Sequence, residues 1–361
     1  MNVGYLVGTF STGGAETMLL RQIRHGDRRP VVFRLGGPDD LEAKFRATGA
    51  TVVNLDVGSI ADPRDLNRAR STLARYDLDV LHAHLPYSMV VARLAGRAAG
   101  VEAVVATHHN VTAEWGRAIR AVEQATRPLD SREVAVSNAV RESQSSPFDA
   151  TEWSTIHNGI DVAGFNDEVR SAAVPSELRA TLDSDGPVFL NVGRYVPQKA
   201  QHLLVEAMDR VASELPESHA VVVGHGPLGD ALEARVAELG LEDHVSVTGK
   251  VPEIHPYYAL ADVFVLPSLY EGHPLTALEA MAAELPLVGT RVSGIEETVT
   301  PEVGRLVPPR SRESLAEAML EVARDDPEGM GSRAYQRASE QFDISRMVAA
   351  HEELYELLVE G

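Results

Sequence analysis

The sequence contains no cysteine. That removes disulfides, thiolate nucleophiles, Cys-ligated zinc and iron–sulfur clusters together, so any catalysis must use His, carboxylates, hydroxyls, Lys, Arg or the backbone. Lysine is nearly absent: of 33 basic residues only Lys44, Lys199 and Lys250 are lysine, beside 53 acidic ones. The resulting net charge of −20 argues against free nucleic acid as a partner, because neutralising phosphates takes cations. An acidic, lysine-poor composition fits either a high-salt habitat or a GC-rich genome. Long uncharged apolar runs are missing too; nothing approaches the ~20 residues that span a bilayer. The N-terminal MNVGYLVGTF has no basic n-region, and acidic residues from Glu16 onward argue against a transit peptide, so the expected location is cytoplasmic.

What is present is a regular alternation. With 361 residues, 44% hydrophobic, the chain should form two domains. Apolar β-rich runs at 3–7, 30–35, 51–55, 79–84, 103–109 and 133–137 alternate with helical stretches, and a second series follows at 187–193, 220–224, 245–249, 262–267, 286–290 and 304–308. This is the pattern of parallel α/β sheets covered on both faces. In the helical segment 86–100, spacing places Met89, Ala92, Leu94 and Ala95 inside and Arg93 and Arg97 outside. The expected division is a first Rossmann-like domain over 1–165, a linker over 166–186 and a second Rossmann-like domain over 187–361. Helical periodicity at 311–325 and 343–359 makes the C-terminus helical, its final helix a candidate to cross back to the first domain. Residues 1–165 hold 18 basic and 19 acidic side chains, against 15 and 34 in 166–361. The first half is nearly neutral, and its arginines, including Arg117, Arg120 and Arg127, read either as scattered helix-surface residues or as a face toward an acceptor or an anionic membrane.

Several motifs can carry chemistry. Gly13 and Gly14 join the first strand to a helix, where backbone N–H groups can meet a phosphate. Gly224, Gly226 and Gly229 spell G-x-G-x-x-G, nominally a dinucleotide fingerprint, although Pro227 and its place in the second domain argue against a nicotinamide enzyme. Arg194 and Lys199 follow a strand ending at Gly193 and precede a helix, which makes an anion site suited to a diphosphate. The stretch 266–290 holds a Glu-x7-Glu pair, Glu271 and Glu279. Glu279, set in an apolar helix, needs partners such as vicinal sugar hydroxyls, and the N–H groups of Leu275 and Thr276 near the helix start can take phosphate oxygens. Asp77 and Asp79 form a DxD, but before a strand, so it reads as a turn and no metal site is expected.

GGAE (13–16), HAH (82–84), THHN (107–110), SNAV (137–140), IHNGID (156–161), VGRYVPQK (192–199), VVGHGP (222–227), YEGHPLTALEAMA (270–282) and GIEE (294–297) together resemble glycosyltransferase family 4 over nearly the full length. The resemblance implies a GT-B fold, two Rossmann-like α/β/α domains facing each other across a cleft, and retaining transfer from a nucleotide sugar, usually without metal or other cofactor. It implies that Arg194 and Lys199 hold the donor diphosphate, that Glu271 meets the transferred sugar and Glu279 the ribose, and that Gly224 and Gly272 line the donor site. It further implies that Gly14 gives the phosphate room from the first domain when the domains close. His109 matches the active-site histidine, with His108 one position away as the alternative. The implied partners are a nucleotide sugar and a glycan or lipid-linked acceptor, met through peripheral contact of the first domain with the inner face of the membrane. A sugar-nucleotide 2-epimerase and a non-catalytic donor-binding subunit are the alternatives. His225, His273, Glu284, Arg291, Ser293 and Glu296 depart from the family pattern, which leaves base and sugar selectivity open.

Overall fold

The computed structural model describes residues 1–111, 116–144, 151–176, 178–179 and 186–360. The chain forms two α/β units: Met1–Gly159 together with Ile344–Gly361, and Ile160–Asp343. The first unit holds β1 (Val3–Val7), β2 (Val31–Arg34), β3 (Thr51–Asn54), β4 (Val80–His84), β5 (Ala103–His108), β6 (Arg132–Ala135) and β7 (Trp153–Thr155). They pair in parallel in the order β3-β2-β1-β4-β5-β6-β7. The second unit holds β8 (Val188–Val192), β9 (His219–Val223), β10 (Val245–Gly249), β11 (Val263–Leu266), β12 (Leu287–Thr290) and β13 (Gly304–Val307), parallel in the order β10-β9-β8-β11-β12-β13. β7 is the strand that the sequence pattern does not reveal: three half-buried residues at a sheet edge make no apolar run.

Away from their edges both sheets are buried on their two faces, which explains why their central strands read as continuous apolar runs. In β8, Phe189 joins one core with the helix Gln201–Glu214, and the next residue, Leu190, joins the other with Leu278 and Met281. Each strand order reverses at a central pair, β1/β4 and β8/β11. Connections leave in opposite directions there, opening a crevice at the carboxyl ends of those strands.

The division differs from that expected. Asp161 caps a helix, Val162–Ser171, whose Val162, Phe165 and Val169 pack into the second unit's core, so the boundary falls at Gly159 and Ile160, not at 165. Of the linker expected over 166–186, residues 177 and 180–185 lie outside the described residues. The last helix, Ile344–Glu360, belongs to the first unit, the crossing back that the sequence offered as a candidate, so the second unit ends at Asp343 and not at 361. With these bounds the first unit carries 19 basic and 22 acidic residues and the second 14 and 31.

Arg93, expected on a solvent face, is instead the largest fully buried side chain, while Leu94 is only half-buried. The helix Pro86–Val91 runs into a π-helical turn, Ala92–Gly96, which breaks the 3.6-residue register behind that expectation. Arg93 donates to Asp130 at 2.7 Å, Glu133 at 3.0 Å and Glu123 at 3.1 Å. Arg127, also buried, donates to Glu123 at 2.9 Å and lies over the Trp153 ring. Two guanidinium groups among three carboxylates leave surplus negative charge. Burial pushes the Asp130 carboxyl well above its usual range and Glu133 up as well, the direction that retains a proton.

A second buried polar group anchors the last helix. The His82 ring on β4 makes hydrogen bonds with Tyr355 Oη at 2.6 Å and Thr107 Oγ1 at 2.5 Å, and it stacks on His84. His351 of the same helix lies beside it, 5.5 Å between ring centroids. Burial holds His82 and His84 well below the usual histidine value and pushes His109 down to about 3 and His351 to about 4.

Two outcomes follow from these buried groups. Arg93→Met removes the cation that faces Asp130 and leaves Arg127 alone with Glu123 and Glu133, and should cost about 3–5 kcal/mol, measured by urea unfolding. The depressed histidines have the opposite sign to raised ones: between their unfolded value of about 6.5 and their folded values, the unfolded chain binds protons that the folded one refuses. Their contribution is therefore intact above about pH 6.5 and lost as pH falls, by about 1.4 kcal/mol per pH unit for each ring. Urea midpoints of the first unit should drop steeply from pH 6.5 to 5, with a flatter profile in His351→Gln.

Candidate active site

In the second unit the expected residues come from loops at the carboxyl ends of β8 and β11. After β8 the chain passes Gly193 and the exposed Arg194, then forms a 3-10 turn, Pro197–Lys199, closed by Ala200 in the left-handed region at φ 47°. Lys199, half-buried, places Nζ 2.5 Å from Oε1 of Glu271, which is 4% exposed. The same oxygen accepts from Ser268 Oγ at 2.7 Å. Gln198 locks the two loops together: its Nε2 donates to the Tyr270 carbonyl at 2.9 Å and its own carbonyl accepts from Leu269 N–H at 2.8 Å. Ser268 is held in turn by Thr290, whose hydroxyl donates to its carbonyl.

The helix Leu275–Ala282 follows, with Pro274 as N-cap. Leu275 and Thr276 stand in its first turn, where N–H groups have no intrahelical acceptor and the dipole favours an anion. Glu279 is half-buried one turn inside, its Oε2 accepting from Tyr258 Oη at 3.0 Å. A cation held by a buried carboxylate, an exposed guanidinium, open helix amides and a tethered second carboxylate thus collect on one unit. This array can bind a polyphosphate and hydroxyl groups and stabilise negative charge developing on a leaving phosphate.

The glycines of the nominal dinucleotide fingerprint serve packing. A Cβ on Gly224 would lie 1.8 Å from the Gly193 carbonyl oxygen, one on Gly226 2.5 Å from that of Tyr195, and one on Gly229 3.5 Å from the Tyr195 ring. They let the loop after β9 press on Gly193–Tyr195, which supports Arg194. Gly294, at φ 80°, brings the loop after β12 against Gly272 in the same way, a Cβ falling 2.2 Å from the Gly272 carbonyl oxygen. His225 is exposed, and His273 is buried beside the Phe342 ring. Glu284 adopts the left-handed φ of 59° suited to the glycine it replaces, and its carboxylate meets Arg170 and Asn166.

In the first unit, Gly14 heads the helix Gly14–His25 with open space where a Cβ would stand. The doubled histidine separates cleanly. His108, at the end of β5, is fully buried, and its Nε2 meets Glu133 within the Arg93 cluster. His109 steps off the strand, half-buried, its Nε2 3.0 Å from His84 Nδ1. His108, Glu123 and Glu133 lie close enough to suggest a metal cluster among the described residues, but both carboxylates are already ion-paired with Arg93 and Arg127. Asp77 and Asp79 lie in the turn before β4, where Asp79 caps the Asn2 N–H. Sequence reasoning missed Gln198, Ser268, Tyr258 and His84. Of these only His84, two residues from His82 at a strand end, carried a signal.

Comparison with known proteins identifies the family. Residues 12–163 match the model of Glycosyltransferase Family 4, and residues 177–340 that of Glycosyl transferases group 1. The chain is 30% identical over 316 residues to phosphatidyl-myo-inositol mannosyltransferase of Mycolicibacterium smegmatis, covering 83% of this chain and 77% of that one. It is 27% identical over 309 residues to UDP-Gal:alpha-D-GlcNAc-diphosphoundecaprenol alpha-1,3-galactosyltransferase of Escherichia coli, covering 82% and 80%. The structure of Anabaena HepE in complex with UDP-glucose superposes with a TM-score of 0.86 at 22% identity, covering 99% of both chains. The chain is a member of glycosyltransferase family 4, a nucleotide-sugar-dependent transferase with the two Rossmann-like domains of the GT-B fold.

Proposed function

We propose that this glycosyltransferase retains the anomeric configuration of its donor and delivers a hexose to a glycan or lipid-linked acceptor, at the inner face of a membrane, in the synthesis of a cell-surface glycan or glycolipid. The observation that carries the donor assignment is the Lys199–Glu271 pair: one of three lysines in the chain, held at 2.5 Å by a carboxylate that is almost fully buried. Glu271 fixes the ammonium in place, so that it meets the donor diphosphate without reorganising. Arg194 and the N–H groups of Leu275 and Thr276 are assigned to supply further positive potential to the leaving nucleoside diphosphate as it gains charge. Glu271 and Gly272 are assigned to the transferred sugar, Glu279 to the ribose hydroxyls, His109 to the sugar from the first unit, and Gly14 to a phosphate.

Retention is supported by relatives whose names carry an alpha product, since UDP-galactose and GDP-mannose hold their sugar in alpha linkage. A lipid-linked acceptor is supported by the phosphatidyl-myo-inositol and diphosphoundecaprenol in the names of two relatives. Because Arg194, Lys199 and helix amides supply the positive charge, the reaction should need no divalent metal and should proceed in EDTA.

Thermal shift with UDP, GDP and ADP should single out one base by stabilisation. With the corresponding donor, Lys199→Ala and Glu271→Ala should each lower kcat by about 10²–10³-fold; an unchanged rate in both would remove the assignment. Proton NMR of the new anomeric centre reads retention or inversion directly. Conversion of the donor sugar without any acceptor would instead favour a 2-epimerase.

A further inference from the structure

His84, the last residue of β4, is fully buried. It shares a face of the sheet with His82, because side chains two apart on a strand point the same way, while Leu81 and Ala83 enter the core on the other side. Its ring stacks on His82 at 4.4 Å between centroids. His82 is itself held by Tyr355 and Thr107, so the His84 ring has little freedom to turn. On the neighbouring strand Thr107 stands level with His84, and His109 follows two residues later. That register brings His84 Nδ1 to 3.0 Å from His109 Nε2. Burial keeps both rings neutral, His109 being pushed down to about 3, so a hydrogen bond between the two nitrogens takes its one N–H from one ring or the other.

The other nitrogen of His84 decides which. His84 Nε2 is buried and has no hydrogen-bond partner among the described residues. If His109 were the donor, His84 would carry its own proton on Nε2, an N–H shut away from any acceptor. If His84 donates from Nδ1, its Nε2 holds only a lone pair. An orphaned buried N–H is the rarer and costlier of the two defects. His109 Nδ1 is under no such constraint: the residue is half-buried, and this atom makes no hydrogen bond among the described residues and is not shut off from solvent. We infer that His84 is a positioning residue: by donating from Nδ1 to His109 Nε2 it fixes His109 as the Nδ1–H tautomer, so that His109 presents a directed N–H to an oxygen of the transferred sugar. A ring held so far below the usual histidine value is a poor base, and a hydrogen bond of fixed direction is what it has to offer. In the opposite tautomer His109 would turn a lone pair outward and lose that donor. This deepens the reading above, resting on the assignment of His109 to the sugar.

Long-range proton–nitrogen correlation spectra of protein carrying isotope-labelled histidine read the tautomer directly, with the His109 signals assigned by their loss in His109→Gln. Wild type should hold the His109 proton on Nδ1. His84→Phe keeps a ring to stack on His82 and removes both nitrogens, and it should release His109 to both tautomers. His84→Asn does the reverse, losing the ring while its Nδ2 stands where Nδ1 stood, and it should restore Nδ1–H. With the donor that the nucleotide screen selects, kcat should fall about tenfold or more in His84→Phe with KM within about twofold of wild type, and return to within about threefold in His84→Asn. A merely structural His84 gives the opposite order, Phe tolerated and Asn impaired, and that order overturns the inference. So does a wild-type His109 protonated on Nε2, a result independent of how any variant folds. Should His84→Phe fold poorly, His84→Leu removes the same nitrogens. The two readings fail separately. Unchanged turnover in His109→Ala removes the sugar assignment whatever the tautomer, whereas an Nε2–H tautomer in an enzyme that needs His109 removes the role of His84 alone.

Discussion

A charge taken out of water must find an opposite charge or give up its own, and this requirement organises every distinctive feature of the molecule. In the second unit it pairs Lys199 with Glu271, and Ser268 satisfies the same carboxylate oxygen. In the first unit it gathers Arg93 and Arg127 around Glu123, Asp130 and Glu133, and it keeps a stack of buried histidines neutral. It also turns one helix inside out, because burying Glu123 sends Val122 to the surface. The same physics therefore sets up a paired lysine at a loop, a core of neutral histidines and an outward apolar stripe.

Topology decides where such groups can act. In a parallel sheet covered on both faces, the strand interiors are mostly apolar and the polar groups they hold, such as His82 and Glu133, are tied to partners, so groups that can meet a ligand stand at the ends. The reversal at β8/β11 puts Arg194 and Lys199 on one loop and Ser268 and Glu271 on the neighbouring one, where a single glutamine, Gln198, holds the two in register. The acidity of the second unit, 14 basic against 31 acidic residues, makes this local concentration of cations necessary for any anionic donor. The departures from the family pattern fall on positions that tolerate them. Glu284 accepts a left-handed backbone and returns an ion pair with Arg170, and His225 contributes its backbone to packing and leaves its side chain in water.

Twelve strands were legible as apolar runs, the central ones because burial on both faces leaves no alternation to blur them. β7 was not, since three edge residues bury too little to be selected for hydrophobicity. Arg93 was misplaced because a 3.6-residue period holds only while the helix keeps its register, and the π turn over Ala92–Gly96 does not. The boundary was misplaced by similar logic. Residues 158–186 are rich in turn-formers, yet Asp161 serves there as a helix cap and Phe165 as a core residue.

By itself the sequence determined the fold class, the two-unit organisation, the family, and the local motifs around Arg194, Lys199, Glu271 and Glu279. All of these depend on short-range pattern and residue chemistry. Only the tertiary structure decided which of two adjacent histidines enters the Arg93 cluster and which leaves the strand, since successive residues at a strand end point to opposite sides. Only it returned the last helix to the first unit, exposed the apolar side of Arg117–Thr126, and turned the glycines of an apparent dinucleotide motif into packing contacts for Tyr195. Those outcomes depend on partners tens to hundreds of residues away, and no local pattern in a chain records them.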